Sequence, residues 1–518
     1  MQQKNGDTQL ATVIYAQNSG MNTYEFLLGN VFWLTAARFA TRILTILVLP
    51  IRTAYLSPQD FGIIAMFAVS SSFLGGLFGM GVVSFAGRVI YKYERTDKRK
   101  CKEKLGTILI YLICFSLIGA LISSLFIKDL FGLVFKDIVL PHPIFYYLPV
   151  IMAFIAAVHG FSSNSLLNLQ LNKKMFSLEI SLFTLIIPTQ VIGLVFFSFS
   201  VWDVIILQLI AQAIVLLLGF WMIRDWLSFA GSLSKIFKEA MRYSTPMALL
   251  NIAGWFQESI DKVLLSKIVT LNAVGLYSAG ISIATNYSFL SRPIATSLKP
   301  EISKRLDASD PNIQKQIRDF FMLFFQFSNF LYLAVSLFSK EIVEILMDVR
   351  FHECYRIIPI VVLGLIFGEL NGIFHLKFIF RNKTIWFPIS TVLAAIISSS
   401  LNYLLIPSYD IYGAAFAGSA TALLIMFFCY VVSQRLHRSE YSLFINFMPL
   451  LVSIGLIFAI DSSGLGRLGL FILKVIIVVV YGIGLDYCLR KANISYQEVR
   501  NVIIRKVRKI DLFFKNIS

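Results

Sequence analysis

The sequence predicts an all-α integral membrane protein of about 14 transmembrane helices, arranged as two six-helix halves around a central cavity, with two extra C-terminal helices. The first reason is composition, because 57% of the residues are hydrophobic and only 14% are charged, far from the average of a soluble domain. The second is a succession of apolar runs of about 20 residues, the length at which a helix crosses a bilayer. The third is an uneven distribution of lysine and arginine between the connecting loops.

Fourteen apolar runs are predicted to span the membrane. They begin near Leu27, Phe61, Leu105, Ile144, Leu178, Val204, Tyr243, Leu276, Phe320, Ile357, Ile385, Ile411, Phe444 and Leu468. An even number of spans puts both termini on one side. The polar first 23 residues lack the features of a secretory signal, so we expect insertion through the first helix with both termini in the cytoplasm.

Positive charge in the loops favours this orientation. With both termini inside, the tails and inner loops carry 32 of the 46 lysines and arginines, against 8 in the outer loops. Much of the net charge of +17 lies in residues 88–104 and in the tail after Arg490. We expect these segments to contact anionic membrane lipids, so the charge calls for no nucleic-acid partner. The five cysteines have no paired spacing and predict no metal site.

An internal repeat divides the predicted spans. The segments YLSPQDFGIIAMFAVSSS and VTLNAVGLYSAGISIATN place Gly62 and Gly275 at an offset of 213 residues, and VWDVI and IYGAA repeat at an offset of 210. Repeated halves of this kind surround the cavity of many transporters. The predicted parts are a cytoplasmic N-terminal tail 1–23, a first half 24–224, a cytoplasmic linker 225–242, a second half 243–434, helices 13 and 14 at 444–489, and a basic cytoplasmic tail 490–518.

The seventh span, residues 243–268, carries charged side chains within an apolar helix. An ionised side chain near the bilayer centre costs roughly 3 kcal/mol on insertion scales, so this helix is expected to face protein or water. Asn251, Glu258, Asp261 and Lys262 cluster towards one side of it at 3.6 residues per turn. This side is predicted to be a cavity wall. Alternatively, Glu258 and Lys262 form a helix-stabilising ion pair with no role in transport.

A first span ending LVLPIRTAYLSPQDFGIIAMFAV, an Asp followed by a base in the seventh span, and AVGLYSAGISIA together resemble Wzx-type flippases. These are polysaccharide transporters of the multidrug/oligosaccharidyl-lipid/polysaccharide (MOP) superfamily. The resemblance implies that an undecaprenyl-pyrophosphate-linked oligosaccharide crosses from the cytoplasmic to the outer leaflet of a bacterial cytoplasmic (inner) membrane. Relatives often show Asp-Arg where this chain has Asp261-Lys262, which keeps the charge without the bidentate fork suited to phosphate.

Bases with hydroxyls between them in two more spans favour an anionic, partly sugar-like cargo. The first span carries Arg38, Thr41, Arg42 and Thr45 on one stripe. The eighth span offers Thr285, Ser288 and Arg292. Bases this close repel each other unless water or an anion lies against them. We therefore predict a cavity whose bases bind a pyrophosphate and whose other polar groups line the path. The predicted pyrophosphate ligands are Arg38, Arg42, Lys262 and Arg292.

Other functions remain open from the sequence. A lipid II flippase of the same superfamily would share the basic cavity, whereas a drug or cation exporter would favour acidic cavity residues. A membrane polysaccharide polymerase usually carries catalytic residues on a large outer loop, and the predicted outer loops are short. We expect no catalytic residue and no cofactor, with protons or sodium ions as possible coupling ions and the polymerase machinery as a possible partner. Lys474 in helix 14 is expected to reach a lipid headgroup.

Overall fold

The computed structural model describes residues 23–79, 81–135, 140–230, 233–292, 311–436, 443–461 and 466–491. Over these ranges the secondary structure consists of α-helices and short 3₁₀ segments, with no β-strand. The predicted all-α class is therefore confirmed.

In the described ranges up to residue 268, the structure contains nine α-helices. They are α1 (Thr23–Tyr55), α2 (Pro58–Gly79), α3 (Val82–Tyr93), α4 (Lys98–Leu125), α5 (Ile127–Val134), α6 (Leu148–Asn168), α7 (Asn172–Phe196), α8 (Val201–Ile223) and α9 (Leu233–Ile268). Short 3₁₀ segments at Pro143–Tyr147 and Arg224–Trp226 lie before α6 and after α8.

The remaining described residues also form α-helices. The helices are α10 (Leu271–Ala284), α11 (Pro311–Leu337), α12 (Ser339–Leu346), α13 (Ile358–Phe380), α14 (Trp386–Leu436), α15 (Leu443–Asp461) and α16 (Arg467–Lys491). A 3₁₀ segment at Val349–Ile357 leads into α13. The long α14 is two helices that meet at Asp410, whose φ of 51° is non-helical.

Each predicted span begins inside one of these helices or in the turn before it. On length and composition, eight helices of the described ranges could cross a membrane, and two shorter apolar helices accompany them. A multi-pass membrane protein is therefore confirmed, while the number of 14 crossings stays a prediction. The short helices α3, α5 and α12 were not predicted.

The chain divides into two compact units. The first comprises Met1–Gly280, Val343–Cys354 and Thr391–Gly418, and the second comprises Ile281–Ile342, Tyr355–Ser390 and Ser419–Ser518. An apolar core of the first unit joins α3, α4, α6, α7, α8 and α9 around side chains such as Phe85 and Phe161, which are almost completely buried.

In the second unit, α15 and α16 pack against α11. Leu333 and Leu337 of α11 form a buried apolar cluster with Ile460 of α15, which side chains of α16 complete. Lys474 of α16 forms a 2.6 Å ion pair with Glu341 of α12 and is only 8% exposed. The expectation that Lys474 reaches a lipid headgroup is therefore wrong, because a carboxylate of the same unit neutralises it. No sequence periodicity connects residues 133 positions apart.

Gly62 and Gly275 lie where α2 and α10 cross. A Cβ atom on Gly62 would lie 1.9 Å from the Leu271 carbonyl oxygen, and one on Gly275 would lie 1.7 Å from the Pro58 carbonyl oxygen. Leu271 lies four residues before Gly275, and Pro58 lies four residues before Gly62. Each glycine therefore meets the carbonyl one helical turn before the other glycine, and the contact is reciprocal. The backbones approach this closely because neither residue has a side chain. This crossing joins the two hairpins that the sequence aligns, while the extent of the two halves stays a prediction.

A second contact fixes the end of α1, in a part of the chain predicted to be on the outer side. Arg350 donates hydrogen bonds from its guanidinium to the Thr53 and Ala54 carbonyl oxygens, at 2.9 and 2.8 Å. Asp348 holds the same guanidinium by a 2.7 Å hydrogen bond from Nε. Carbonyls at a helix C-terminus lack intrahelical partners, and a base there also complements the helix dipole.

Candidate functional site

The seventh predicted span, α9, is held in place against α2. Trp255 donates from Nε1 to the Val69 carbonyl oxygen and to the Ser72 hydroxyl, both at 3.1 Å. Its ring also contacts Phe73, with centroids 4.7 Å apart. Because Trp255 is fixed on both its polar and its apolar side, the orientation of α9 about its own axis is set. This orientation determines where the charged residues of α9 lie.

A cavity of about 340 Å³ lies beside this contact, between α2, α3, α6 and α9. Serines and glycines of α2 and α3 form much of its lining, so the helix backbones leave space between them. Asn251 of α9 contributes an amide to the lining. The structure therefore places one predicted cavity residue in a cavity, with Trp255 one helical turn away.

Lys262 and Asp261 lie further along α9 and are both largely buried, with side chains 18% and 17% exposed. The Lys262 Nζ is 3.7 Å from Asp261 Oδ1 and donates to the backbone carbonyl of Glu258 at 3.3 Å. Asp261, rather than the Glu258 carboxylate, thus supplies the neighbouring negative charge. The Glu258 side chain is exposed.

Tyr277 of α10 fixes this charged group. Its hydroxyl donates to Asp261 Oδ2 at 2.8 Å, and the Lys262 backbone N–H donates to Oδ1 at 2.7 Å. Tyr277 itself is 3% exposed. With both carboxylate oxygens engaged, Asp261 is held in one rotamer beside the base. Sequence reasoning did not identify Tyr277, although it lies in the repeated AVGLYSAG segment that drew attention to this hairpin.

The predicted stripe on the first span lies on α1. Arg42, Thr41 and Thr45 are partly buried, and the Thr45 hydroxyl donates to the Thr41 carbonyl oxygen at 2.8 Å. Thr41 and Arg42 each take part in a further polar contact. The side chain of Arg38 lies outside the described side chains. That Arg42 and Lys262, which belong to the same unit, bind one anion stays a prediction.

The predicted residues of the eighth span lie in the second unit. The helical pattern is interrupted at Thr285 and resumes over residues 286–292. The Arg292 Nε lies 4.0 Å from Glu369 Oε1 of α13, while the Arg292 side chain is 71% exposed. Ser288 is 5% exposed. Glu369 was not predicted, because no local pattern links a carboxylate on α13 to a base 77 residues earlier.

The described residues of the first unit therefore offer groups that can bind a ligand. The ammonium group of Lys262 is partly buried, has a fixed counter-charge and lies on the same helix as Asn251, whose amide lines the cavity. The described residues hold no group of three or more His, Cys, Asp or Glu side chains arranged for a metal ion.

Comparisons with known proteins agree with this description. The sequence model of a family described as polysaccharide biosynthesis protein matches residues 27–305. No curated protein sequence matches the chain. Among solved structures, the lipid II flippase MurJ in an inward closed conformation is similar, with a TM-score of 0.70 and 15% identity over 89% of this chain and 99% of that chain.

A MATE family multidrug resistance transporter of the MOP superfamily, in an inward-facing conformation, is also similar. The TM-score is 0.58 and the identity 13%, over 78% of this chain and 99% of that chain. At these identities the likeness establishes the fold, which the chain shares with transporters.

Proposed function

Because this chain belongs to the polysaccharide biosynthesis protein family, we propose that it is a flippase for undecaprenyl-pyrophosphate-linked oligosaccharide repeat units. It moves them from the cytoplasmic to the outer leaflet of the bacterial cytoplasmic membrane, with both of its termini in the cytoplasm. The product serves the biosynthesis of an O-antigen, capsule or exopolysaccharide, in cooperation with a polysaccharide polymerase.

The observation that carries this proposal is the charged group on α9 formed by Lys262 and Asp261. Lys262 is 18% exposed and has Asp261 as its neighbouring counter-charge, which Tyr277 positions. An ionised base is costly in a membrane span unless it faces a polar path. In a family concerned with polysaccharides, an anionic lipid-linked glycan is the cargo that such a base would recognise.

We propose that two parts of α9 bind different parts of the cargo. Lys262, together with Arg42 of α1, binds the pyrophosphate by charge-assisted hydrogen bonds. The cavity lined by Asn251 and by serines of α2 and α3 receives the first sugars, whose hydroxyls suit an amide and hydroxyl lining. Alternating opening of the site to the two sides then moves the bound group across.

Deletion of the gene tests the proposal. Lipid-linked repeat units should accumulate on the inner leaflet, while glycosyl transfer in isolated membranes persists. Reconstituted vesicles containing the purified protein should then move the lipid-linked glycan between leaflets. Loss of the transferase activity itself would contradict a flippase and favour a membrane enzyme such as a polymerase.

A lipid II flippase is the second candidate, favoured by the similarity of the fold to MurJ over 89% of this chain. A drug or cation exporter, suggested by the fold of the MATE transporter, fits less well because bases outnumber acids on both α1 and α9. The vesicle assay separates these candidates when lipid II, the repeat-unit lipid and a cationic dye are supplied in turn. We expect transport of the repeat-unit lipid to be fastest.

A further inference from the structure

Arg88 of α3 lies one helical turn beyond the cavity of the first unit, in a segment predicted to be on the inner side. α2 ends at Gly79 and α3 begins at Val82, and Gly81 between them has a φ of 72°. A Cβ atom on Gly81 would lie 2.7 Å from the Met247 Cβ, so α3 begins directly against α9. The wall that α3 contributes to the cavity therefore continues along α9 towards the predicted cytoplasmic linker.

The buried side of α3 fixes which of its residues face the opening of the cavity. The residues on that side are at most 3% exposed, namely Val82, Phe85, Ala86, Val89 and Ile90. Ser84 lines the cavity, and Ser84 and Arg88 are both exposed. Because they are four residues apart on one helix, they lie on the same face. The face of α3 that lines the cavity therefore carries a base at its predicted inner end.

Tyr243 of α9 holds the guanidinium of Arg88. The Arg88 Cζ lies 5.3 Å from the centroid of the Tyr243 ring, and that ring is itself 5.8 Å from the ring of Phe85. A guanidinium over an aromatic face is attracted by the ring, while its N–H donors point outward from its edge. Arg88 is thus positioned at the opening with its donors directed away from the ring.

Acids at the end of α3 and in the first turns of α9 are paired with other bases. Glu94 Oε2 lies 3.6 Å from the Arg95 Nε, and Glu239 Oε2 accepts a 2.9 Å hydrogen bond from the Lys104 Nζ. Among the residues that the structure describes, no carboxylate forms an ion pair with Arg88. An exposed base without a fixed counter-charge, at the opening of a cavity, attracts an anionic ligand.

We propose that Arg88 first binds the pyrophosphate of the cargo where the cavity opens to the predicted cytoplasmic side, a site that rests on the proposed function. A guanidinium suits this group because its planar fork donates to two phosphate oxygens at once. Tyr243 and Lys262 are 19 residues apart on α9, about 28 Å along a helix, so one pyrophosphate cannot contact Arg88 and Lys262 together. Arg88 therefore determines the affinity for arriving cargo, whereas Lys262 acts during crossing.

Protection of a cysteine beside Arg88 tests the site without the unidentified glycan. In a cysteine-free full-length protein that carries Ser84→Cys, purified in detergent, a hydrophilic maleimide should label the new cysteine. Farnesyl pyrophosphate should slow this labelling in a saturable way, and farnesol should not. Arg88→Gln should raise the concentration for half protection about 10-fold or more, because a charged hydrogen-bond donor is lost. Arg88→Lys should recover only part of the affinity. Lys92→Gln, at another exposed base of α3, is the control and should leave the protection unchanged.

Transport kinetics distinguish the binding of arriving cargo from a structural role. In the vesicle assay, Arg88→Gln should raise the half-saturating concentration of the repeat-unit lipid several-fold and leave the maximal rate unchanged. Lys262→Gln should instead lower the maximal rate. Equal thermal midpoints of Arg88→Gln and the wild type would show that the variant is folded. An unchanged half-saturating concentration in Arg88→Gln would refute a role in binding arriving cargo.

The labelling results separate a failure of this site from a failure of the flippase. Protection that persists in Arg88→Gln, an absence of protection in the Ser84→Cys protein, or equal protection by phosphatidylglycerol would each overturn the site. The proposed flippase would stand in each case if the vesicles still move the repeat-unit lipid. Protection that depends on Arg88, in a protein that moves no repeat-unit lipid, would support the anion site and refute the flippase.

Discussion

Lys262 is a partly buried base with Asp261 beside it on α9, so its charge can be tested by substitution. We expect Lys262→Glu and Arg42→Glu to abolish export while protein levels stay normal, since a carboxylate repels the pyrophosphate. Lys262→Arg should be tolerated because it keeps the charge. Complementation of a deletion strain, with immunoblots for the protein, measures both. Lys383→Glu, at an exposed residue, is the control. Normal export by Lys262→Ala and Arg42→Ala would place the site elsewhere.

Tyr277 acts on the same group through one hydrogen bond to Asp261. Tyr277→Phe should destabilise the protein by about 1.5–3 kcal/mol, the usual contribution of a hydrogen bond to a charged group. A lower thermal midpoint in detergent and a partial loss of export should report this. Tyr91→Phe, at a residue 79% exposed, should change neither. In an Asp261→Asn background the effect of Tyr277→Phe should shrink, because the shared interaction is already weakened.

At the scale of the helices, the crossing of α2 and α10 depends on the two glycines. Gly275→Ala should push the helices apart, because the new Cβ would meet the Pro58 carbonyl oxygen at 1.7 Å. In a cysteine-free protein that carries Asn251→Cys, we expect the additional change Gly275→Ala to increase the rate of labelling by an impermeant maleimide added from outside. Gly455→Ala is the control, because a Cβ atom at Gly455 would have no neighbour within 4 Å. The Asn251→Cys protein that carries it should be labelled as slowly as the parent. Equal rates for the two variants would show that this crossing does not control access.

The attachment of α16 to α12 depends on the ion pair of Lys474 and Glu341, whose side chains are 10% and 27% exposed. Lys474→Glu should destabilise the protein by about 3 kcal/mol, because it leaves two carboxylates together in a largely buried place. The exchange Lys474→Glu with Glu341→Lys should recover much of the loss in thermal midpoint. If the double variant is no more stable than Lys474→Glu, the pair does not determine the attachment.

At the scale of the whole molecule, the orientation in the membrane is open to a direct test. Reporters fused after Lys98 or after Arg505 should score inside, and reporters near Asp137 or Glu344 should score outside. The reason is the excess of lysine and arginine in the predicted inner loops, 32 against 8. Alkaline phosphatase and green fluorescent protein fusions give opposite signals on the two sides. An outside score at Lys98 would overturn the topology.

The fold class could be predicted from sequence because a membrane span depends on local composition over about 20 residues. Contacts between distant residues could not be predicted in the same way. Helical spacing paired Lys262 with Glu258, whereas packing brought Tyr277 to Asp261 and left the Glu258 side chain exposed. Lys474 similarly found Glu341 rather than a headgroup.

The short helices α5 and α12 were not predicted because each has only eight residues, too few for a membrane span. SLFIKDLFGLVF and SLFSKEIVEILM, 212 residues apart, include α5 and α12 and share their first three residues and a Lys followed by an acid. A comparison of the loops, as well as of the spans, would have predicted them. Glu369 gave no such signal, because a lone acid in an apolar run does not identify its partners.

The reciprocal approach of Gly62 and Gly275 restricts where the chain can accept inserted residues. Gly62 must lie one helical turn after Pro58, and Gly275 one helical turn after Leu271, for both close contacts to form. One residue added within Pro58–Gly62 or Leu271–Gly275 therefore rotates a side chain into the crossing. Residues added to the linker around 227–230 leave both turns intact. Random insertion libraries should therefore show two short intolerant windows at the same spacing as the two glycines.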